Sequence, residues 1–309
     1  MPGWKVTVPA SSANLGPGFD VLGLALDAHL TVECEQDQVF SVEVSGAGEG
    51  QVPLDESHLV IDTARSIASD AVLNCRWKIH SDIPMTRGLG SSAAACGAGL
   101  AAGFLLKNGT IDDKTEMFQE LSRREGHADN AAAAIFGGLQ AGFQNAENAV
   151  GHLPLPFPQH LSVLALIPAT ELSTASAREV LPNQHSTEAV SNNLAAITCL
   201  IEGLHSGEIK NISRGCQDHL HQPYRLPLVP GLEDALLALE KEPLLHGAWL
   251  SGAGPTLASF LNSDDLIPGD LHSISGVEQA MSHLAIHEID SIARHMQVDF
   301  EGMRWEVLP

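Results

Sequence analysis

Aromatic side chains are scarce in this chain of 309 residues: phenylalanine, tryptophan and tyrosine make up 5% of it, and there is one tyrosine. Hydrophobic residues still account for 44% of the chain and charged residues for 17%, values that are typical of a globular protein. The core must therefore be built from alanine, leucine, valine and isoleucine. The length suits two domains or one large one.

Basic residues are also few. There are 16 lysines and arginines against 38 aspartates and glutamates, which gives a net charge of −22. So acidic a surface repels polyanions, and this argues against nucleic acid and against an anionic membrane surface as partners. The chain can bind an anionic ligand only where its few cations are concentrated.

No apolar run is long enough to cross a membrane. The longest, Ala93–Leu106, has 14 residues and would span about 21 Å as a helix, so it predicts a buried helix. The first residues, Met1–Lys5, lack the apolar segment of a signal peptide. The five cysteines are widely spaced and include no C-x-x-C pair, which predicts reduced, mostly buried thiols in a cytoplasmic protein.

Alternating apolar and polar residues predict an antiparallel sheet near the N-terminus, with a turn-rich stretch from Ala10 to Asp20. Ser57 and Asp112 are expected to cap helices, as is Ser91 or Ser92. Three closely spaced prolines, at 154, 156 and 158, predict a division into domains 1–158 and 159–309. Strands are predicted at Trp4–Pro9, His29–Glu35, Val39–Val44, Arg76–His80, Leu139–Phe143, Leu161–Pro168, His246–Leu250, Thr256–Leu261 and Met303–Val307.

A glycine-rich loop runs into the predicted buried helix. It reads Pro84-Met85-Thr86-Arg87-Gly88-Leu89-Gly90-Ser91-Ser92 and continues with Ala93-Ala94. Glycine lets the backbone approach a ligand closely, and the unpaired N–H groups that begin a helix form a site for an anion such as phosphate. The lysine of a P-loop and the third glycine of a dinucleotide loop are both missing. A closely packed, capped helix without a ligand is the alternative.

Two further segments concentrate polar side chains. The first, Ser12–Asp20, offers the amide of Asn14 and the carboxylate of Asp20, which could hold a small polar substrate; an ordinary turn is the alternative. The second, Glu125–Asn130, contains Glu125, His127, Asp129 and Asn130. A magnesium carboxylate and a substrate contact or base are its functional interpretations, and a helix cap or solvated loop is the alternative.

Single arginines stand out in a chain that has few. Arg178 follows Thr174 by one helical turn, and Arg225 ends the segment His221–Arg225. Arginine is suited to a two-pronged grip on a carboxylate or phosphate, although most surface arginines are only solvated. Ser251–Thr256 is rich in glycine and predicts a turn between two strands.

These segments, in this order, resemble the GHMP small-molecule kinases and, within them, the homoserine kinase family. The loop from Pro84 to Ala93 looks like the phosphate loop of the superfamily, and Ser251–Thr256 looks like its C-terminal loop. Ser12–Asp20 looks like the N-terminal motif of the homoserine kinase family. Three further segments look like that family in particular: Glu125–Asn130, Thr174–Arg178 and His221–Arg225. The resemblance runs from about residue 4 to residue 260.

The resemblance implies an α+β fold of two domains, the first similar to ribosomal protein S5 domain 2 and the second ferredoxin-like. It implies transfer of the ATP γ-phosphate to the hydroxyl of L-homoserine, with Mg²⁺. Pro84 to Ala94 would bind ATP, and Ser92 (or Ser91) and Glu125 would lie near the metal. The homoserine site would comprise Asn14, Asp20, His127, Asp129, Thr174, Arg178 and Arg225, with Asn130, Asp129 and Arg178 at the reaction centre.

Homoserine is a zwitterion, which agrees with a site of this composition. Its ammonium requires a carboxylate, Asp20 or Asp129, and its carboxylate requires arginines such as Arg178 and Arg225. Two alternatives stay open: another GHMP kinase for a small alcohol, and a catalytically inactive binding protein of the same fold. The sequence does not specify an oligomeric state, and a homodimer is compatible with it.

Overall fold

The computed structural model describes residues 3–37, 39–144, 149–263 and 271–308, which form two β-sheets with helices packed against them. The predicted α+β class is confirmed. The strands are β1 Trp4–Ala13, β2 Leu22–Gln36, β3 Ser41–Gly46, β4 Cys75–Ser81, β5 Leu139–Gln144, β6 Val150–Leu155, β7 Leu161–Pro168, β8 Leu245–Leu250, β9 Leu257–Asn262, β10 Ser291–Met296 and β11 Arg304–Val307. The helices are α1 Leu59–Ala68, α2 Ser91–Asn108, α3 Thr115–Glu125, α4 Asp129–Phe136, α5 Thr174–Glu179, α6 Thr187–Ser206, α7 Ile209–Gly215, α8 Gln222–Arg225, α9 Leu232–Glu240 and α10 Ser275–Ala285.

The first sheet has seven strands, with β11, β1, β2, β4 and β3 side by side and the β5–β6 hairpin attached to the end of β2. Its pairs are antiparallel except β3 with β4, which run parallel. The predicted antiparallel sheet is thus wrong at β3. Strands β3 and β4 are joined through α1, and a crossover of that kind returns the chain in the same direction.

Strand β1 is longer than the sequence predicts. Residues Ala10–Ala13, assigned above to a turn, continue the strand and pair with Gly23–Leu26 after an irregularity at Pro9. Ser11 and Ser12 are fully buried there, because each side chain finds a hydrogen-bonding partner in a distant segment. The turn itself begins only at Asn14.

Three predicted helix caps are wrong: Ser57, Asp112 and the serine at the start of α2. The side chain of His58, not Ser57, accepts the N–H of Val60 at the start of α1. Ser57 instead hydrogen-bonds to Asp55. Helix α3 begins after Lys114, where Asp113 rather than Asp112 accepts the N–H of Thr115.

Helix α2 also begins differently from the prediction. Its cap is Gly90, in a left-handed conformation and without a capping side chain, so neither Ser91 nor Ser92 caps it. The predicted burial is confirmed, since most of its alanines, glycines and leucines are enclosed between α1 and the first sheet. Small residues are needed there, because a Cβ on Gly99 would overlap the carbonyl oxygen of Val60. The helix ends at Asn108, and Gly109 caps it in a left-handed conformation.

The second sheet has four antiparallel strands in the order β10, β7, β9, β8. The chain passes from β7 through helices to the β8–β9 hairpin and then through α10 to β10. This is the β-α-β-β-α-β connectivity of a ferredoxin-like fold. A separate cluster of apolar side chains lies between this sheet and helices α9 and α10.

Residues 156–160 connect β6 of the first sheet to β7 of the second, next to the predicted boundary at 158. The chain later returns, because the predicted strand at the end of the sequence, β11, pairs with β1 of the first sheet. The division at residue 158 stays a prediction. All five cysteines are free thiols, four of them buried. Among the described residues, no helix is both long and apolar enough to span a bilayer.

Candidate active site

A cavity of about 230 Å³ collects segments from both halves of the chain. The turn after β1, the glycine loop, the α3–α4 connection, helix α5, Arg225 and the 252–254 loop all contribute to its wall. It is lined by Ala13, Asn14, Asp20, Thr86, Gly88, Gly90, Ser91, Ser92, Glu125, His127, Asp129, Asn130, Leu172, Ser173, Thr174, Arg178, Arg225, Gly252, Ala253 and Gly254.

The glycine loop forms one wall. Gly88 and Gly90 have φ values of +77° and +70°, which a residue with a Cβ adopts only with strain. Because Gly90 directly precedes α2, the first N–H groups of that helix, at Ser91 and Ser92, lie at the cavity. Helix N-termini carry partial positive charge, so this wall suits an anion.

The loop between β8 and β9 holds the glycine loop in place. The hydroxyl of Ser251 donates to the carbonyl of Gly88 (2.7 Å), and the N–H of Thr256 donates to the carbonyl of Arg87 (3.3 Å). On the other side, the N–H of Ser11 donates to the carbonyl of Leu89 (3.1 Å). The loop is therefore fixed by both sheets.

The Arg87 guanidinium does not line the cavity. It donates to the carbonyls of Met85 (2.6 Å), Pro168 (3.2 Å) and Ala169 (2.5 Å). The one cation within the glycine loop thus ties the loop to the end of β7. Positive potential at this wall must come mainly from the helix end.

Ser92 and Glu125 meet across the cavity, because α3 ends against the start of α2. The Ser92 hydroxyl donates to Oε1 of Glu125 at 2.8 Å. Gly126, with a φ of +80°, ends α3 directly after the glutamate and turns the chain toward His127. The pair gives the wall formed by the glycine loop two adjacent oxygen groups.

His127, Asp129 and Asn130 form a connected group at the start of α4. Nδ1 of His127 lies 2.5 Å from Oδ1 of Asp129, and the N–H of Asn130 donates to the same oxygen at 2.6 Å. The Ser11 hydroxyl donates to Oδ1 of Asn130 at 2.8 Å. Since Asn130 lines the cavity, its NH₂ remains available as a donor to a ligand.

Burial lowers the pKa of His127, but the hydrogen bond and the charge of Asp129 raise it by more, so its pKa lies above the ordinary value. A raised pKa in the folded state stabilises the protein below the unfolded value, about 6.5, and the stabilisation is lost as pH rises through the folded pKa. We therefore expect His127→Gln to reduce the free energy of unfolding more at pH 5.5 than at pH 8.5. Urea denaturation at both pH values measures this, and an equal loss at the two would contradict it.

The opposite wall carries Asp20 and Arg178. Nη2 and Nη1 of Arg178 donate to the two carboxylate oxygens of Asp20 at 2.8 and 3.0 Å. Asp20 is positioned by its backbone N–H, which donates to Oδ1 of Asn14 (3.1 Å). Nδ2 of Asn14 in turn donates to the carbonyl of Gly252 (2.8 Å). Asn14 and Asp20 both have positive φ, and a turn held in that conformation by tertiary contacts is typical of a ligand site.

Arg225 is 2% exposed, yet its guanidinium reaches the cavity. Nε donates to the carbonyl of Ala177 (3.1 Å) and Nη1 to that of Gly252 (3.2 Å). Burial lowers its pKa to about 10, so it remains cationic at neutral pH. The ring of Phe19 lies beneath both Arg225 and Arg178, at 5.1 and 5.9 Å from their guanidinium carbons.

The cavity brings together most of the residues singled out in the sequence. Leu89, Ala93 and Ala94 of the glycine loop are buried instead, and the side chains of Pro84 and Met85 do not line it. Sequence reasoning left out Leu172 and Ser173, and it gave the 252–254 loop no site residue although Ser251–Thr256 resembles the C-terminal loop of the superfamily. The glycines of Ser251–Thr256 were the available signal, but they were equally typical of a hairpin turn.

Helix α2 with its glycine loop, together with the ferredoxin-like second sheet, defines a small-molecule kinase of the GHMP class. The model for "GHMP kinases N terminal domain" matches residues 58–138, and that for "GHMP kinases C terminal" matches residues 200–268. A homoserine kinase from Deinococcus radiodurans is 40% identical over 260 residues, covering 83% of this chain and 84% of its own. One from Desulfitobacterium hafniense is 35% identical over 303 residues, covering 96% and 98%. The chain belongs to the homoserine kinase family of the GHMP kinases.

A solved structure gives the same result for the fold. The crystal structure of a homoserine kinase from Cytophaga hutchinsonii matches with a TM-score of 0.81 and 24% identity, covering 99% of this chain and 98% of that one. The predicted GHMP architecture is confirmed.

Proposed function

We propose that the protein transfers the γ-phosphate of ATP to the hydroxyl of L-homoserine, giving O-phospho-L-homoserine for threonine biosynthesis. One observation carries the proposal: a single cavity has a glycine loop and helix N-terminus on one side and paired carboxylates and arginines on the other. The names and high coverage of the relatives support it.

The polar wall fits an amino acid with both termini charged. Arg178 and Arg225 offer fixed N–H groups to a carboxylate, and Asp20 offers a carboxylate to an ammonium. Asp20 and Arg178 pair with each other here. A zwitterion can replace that pair with two new ones, so no charge is left unpaired on binding. A ligand with one terminus would leave one partner without its counter-charge.

The triphosphate is assigned to the glycine loop and to the start of α2, at Gly88–Ala94. The backbone approaches a ligand closely at Gly88 and Gly90, and the N–H groups of Ser91 and Ser92 can donate to phosphate oxygens. In a chain of charge −22 with Arg87 engaged elsewhere, these donors supply much of the favourable potential.

The residues present fit a magnesium ion at Ser92 and Glu125. Magnesium prefers oxygen ligands and is usually held by one or two protein groups together with substrate phosphates, and this hydroxyl–carboxylate pair beside the phosphate wall meets both requirements. A second cluster, Asp20, His127 and Asp129, has ligand atoms within 4.8 Å of one another. It fits less well, because one ligand is an imidazole and Asp20 already binds Arg178. Magnesium would neutralise charge on the phosphates.

Asn130 cannot act as a base, because an amide has no useful proton affinity. Its NH₂ can instead donate to the reacting oxygen or to the phosphoryl group, held in position by Ser11. Phosphoryl transfer has a loose transition state, so alignment and charge neutralisation can suffice. Asp129 fixes the backbone of Asn130 and the ring of His127, and Arg178 adds positive charge near the transferred group.

Ser92→Ala is expected to reduce use of Mg·ATP, because it removes one of the two proposed metal ligands. We expect the magnesium concentration for half-maximal activity to rise about tenfold, equal to roughly 1.4 kcal/mol, with the KM for homoserine unchanged. Titrating Mg²⁺ at fixed ATP measures this. The neighbouring Ser91→Ala serves as the control, and unaltered magnesium dependence in Ser92→Ala would reject its metal role.

The activity is tested by coupled ADP release with L-homoserine, L-serine, mevalonate and galactose as acceptors. We expect turnover with homoserine far above the others. Preference for another alcohol would assign the chain to a different GHMP kinase. Binding of ATP and homoserine without turnover of any acceptor would favour a catalytically inactive binding protein. We also propose that the protein is located in the cytoplasm. That it forms a homodimer remains a prediction.

A further inference from the structure

A buried histidine, His221, lies directly behind Arg225. Its side chain is fully buried, and it does not line the cavity. Asp218 fixes its backbone, since one carboxylate oxygen accepts the N–H groups of His221 (2.8 Å) and Gln222 (2.7 Å). The side chain of Gln222 in turn accepts the N–H of Leu250 in the second sheet (2.7 Å). The position of the imidazole is therefore set by the fold.

The two ring nitrogens of His221 have different partners. Nε2 lies 2.9 Å from the carbonyl oxygen of Gly16, in the turn that carries Asn14 and Asp20. A carbonyl only accepts, so Nε2 carries the hydrogen. Nδ1 lies 3.3 Å from Nη1 of Arg225, which only donates, so Nδ1 must be unprotonated. The neutral Nε2–H tautomer satisfies both contacts.

The surroundings favour this neutral form. Burial lowers the pKa of His221, and the charge of Arg225 lowers it further, against the opposing charges of Asp218 and Asp20. The carboxylate of Asp218 approaches Nε2 to 3.7 Å. Phe19 stacks on the imidazole with ring centres 5.2 Å apart and planes inclined by 24°. Phe19 thus covers one face of the imidazole and also lies below the two arginines.

Three acceptors hold the guanidinium of Arg225: the carbonyls of Ala177 and Gly252 and Nδ1 of His221. They engage Nε and Nη1 and leave Nη2 available to a ligand. The carbonyl of Gly252 also accepts from Asn14, so it binds both Arg225 and the Asn14–Asp20 turn. His221 links the same two elements a second time, through Gly16 and Arg225.

We propose that neutral His221 is a positioning residue, which holds the Arg225 guanidinium in register with the Asn14–Asp20 turn and so sets affinity for the carboxylate of the acceptor. This inference rests on the proposed function, because it takes Arg225 as the group that binds that carboxylate. His221 touches neither substrate, and its influence on binding passes through Arg225.

Two variants separate the contacts of His221. In His221→Gln the longer amide can still donate to Gly16, but nothing replaces Nδ1. In His221→Asn the shorter amide oxygen can occupy the place of Nδ1, but Gly16 is out of reach. We expect His221→Gln to raise the KM for homoserine about tenfold, with the KM for ATP unchanged within about twofold. His221→Asn, which loses only the contact with Gly16, should raise the homoserine KM by less, about threefold.

A double-mutant cycle tests whether the effect passes through Arg225. In an Arg225→Ala background, His221→Gln should change the homoserine KM no further. Additive effects on the homoserine KM would overturn the proposal. It would also be overturned if the KM values for both substrates rose equally in both His221 variants and Tm fell with them. If His221→Gln does not fold, the cycle is run with His221→Ala.

The tautomer is tested independently of activity. ¹⁵N spectra of the wild-type protein at pH 7, assigned by comparison with His221→Asn, should show a neutral ring protonated at Nε2. A protonated ring or the Nδ1–H form would overturn the proposal. If the wild-type protein does not phosphorylate homoserine, the proposed function fails while this spectrum still decides the state of His221. Homoserine turnover with unchanged KM in His221→Gln would reject the inference alone.

Discussion

Gly88→Ala is expected to lower kcat/KM for ATP by about 100-fold or more. The φ of Gly88 is +77°, and a Cβ there would overlap the carbonyl oxygen of Ser251 and lie 3.0 to 3.1 Å from the backbone of Gly254. These are backbone atoms of the loop that fixes the glycine loop, so one of the two loops must move. A displacement of about 1 Å in a positioning element can cost about 100-fold in rate.

Gly109→Ala is a matched control at the other end of α2. Its φ is +79°, so the left-handed strain is the same, but no heavy atom lies within 4 Å of its Cβ position. It should lose about 1–2 kcal/mol of stability and keep kcat/KM within about twofold. Steady-state kinetics with each substrate varied, together with urea denaturation, compares the two. If Gly88→Ala were as active as Gly109→Ala, close approach of the two loops would not be required.

Arg225→Ala is expected to raise the KM for homoserine by about 10- to 100-fold, with a much smaller effect on the KM for ATP. A hydrogen bond to a charged group contributes about 1.5–3 kcal/mol, and each 1.4 kcal/mol is tenfold in affinity. The guanidinium is held rigidly by Ala177 and Gly252, so little flexibility is lost on binding. Both KM values are measured by steady-state kinetics in which one substrate is varied while the other is kept saturating.

Arg225→Lys separates charge from geometry. It keeps the positive charge but loses the planar fork, so it should restore only part of the affinity. Arg76→Ala, which removes an exposed arginine of β4 that pairs with Asp37, should leave both KM values unchanged. An unchanged homoserine KM in Arg225→Ala would remove this residue from the acceptor site.

Residue types at short spacings made much of the site predictable. The local residue pattern is enough to recognise the glycine loop before an apolar helix and the polar groups at 14–20 and 125–130. That Glu125 reaches Ser92, or that Asn14 bonds to Gly252, could not be read from the sequence, because both contacts depend on how distant elements pack. The resemblance to a family supplied what local patterns lack.

Three errors have tertiary causes. Ala10–Ala13 looked like a turn because serine and alanine favour strands weakly, but the buried partners of Ser11 and Ser12 outweigh that preference. Ser57 looked like a helix cap, but Asp55 binds its backbone and hydroxyl. Asp112 looked like the cap of the next helix, but its neighbour Asp113 accepts the N–H of Thr115 instead.

The return of β11 to the first sheet has a consequence for synthesis. During translation β1 leaves the ribosome well before β11, yet the outer edge of β1 is covered only when residues 304–307 have followed. Until then that edge presents unpaired backbone groups, which can template pairing with other chains. The first sheet is completed only after all strands of the second sheet have been synthesised. A chaperone that covers the exposed edge of β1 would therefore protect the nascent chain.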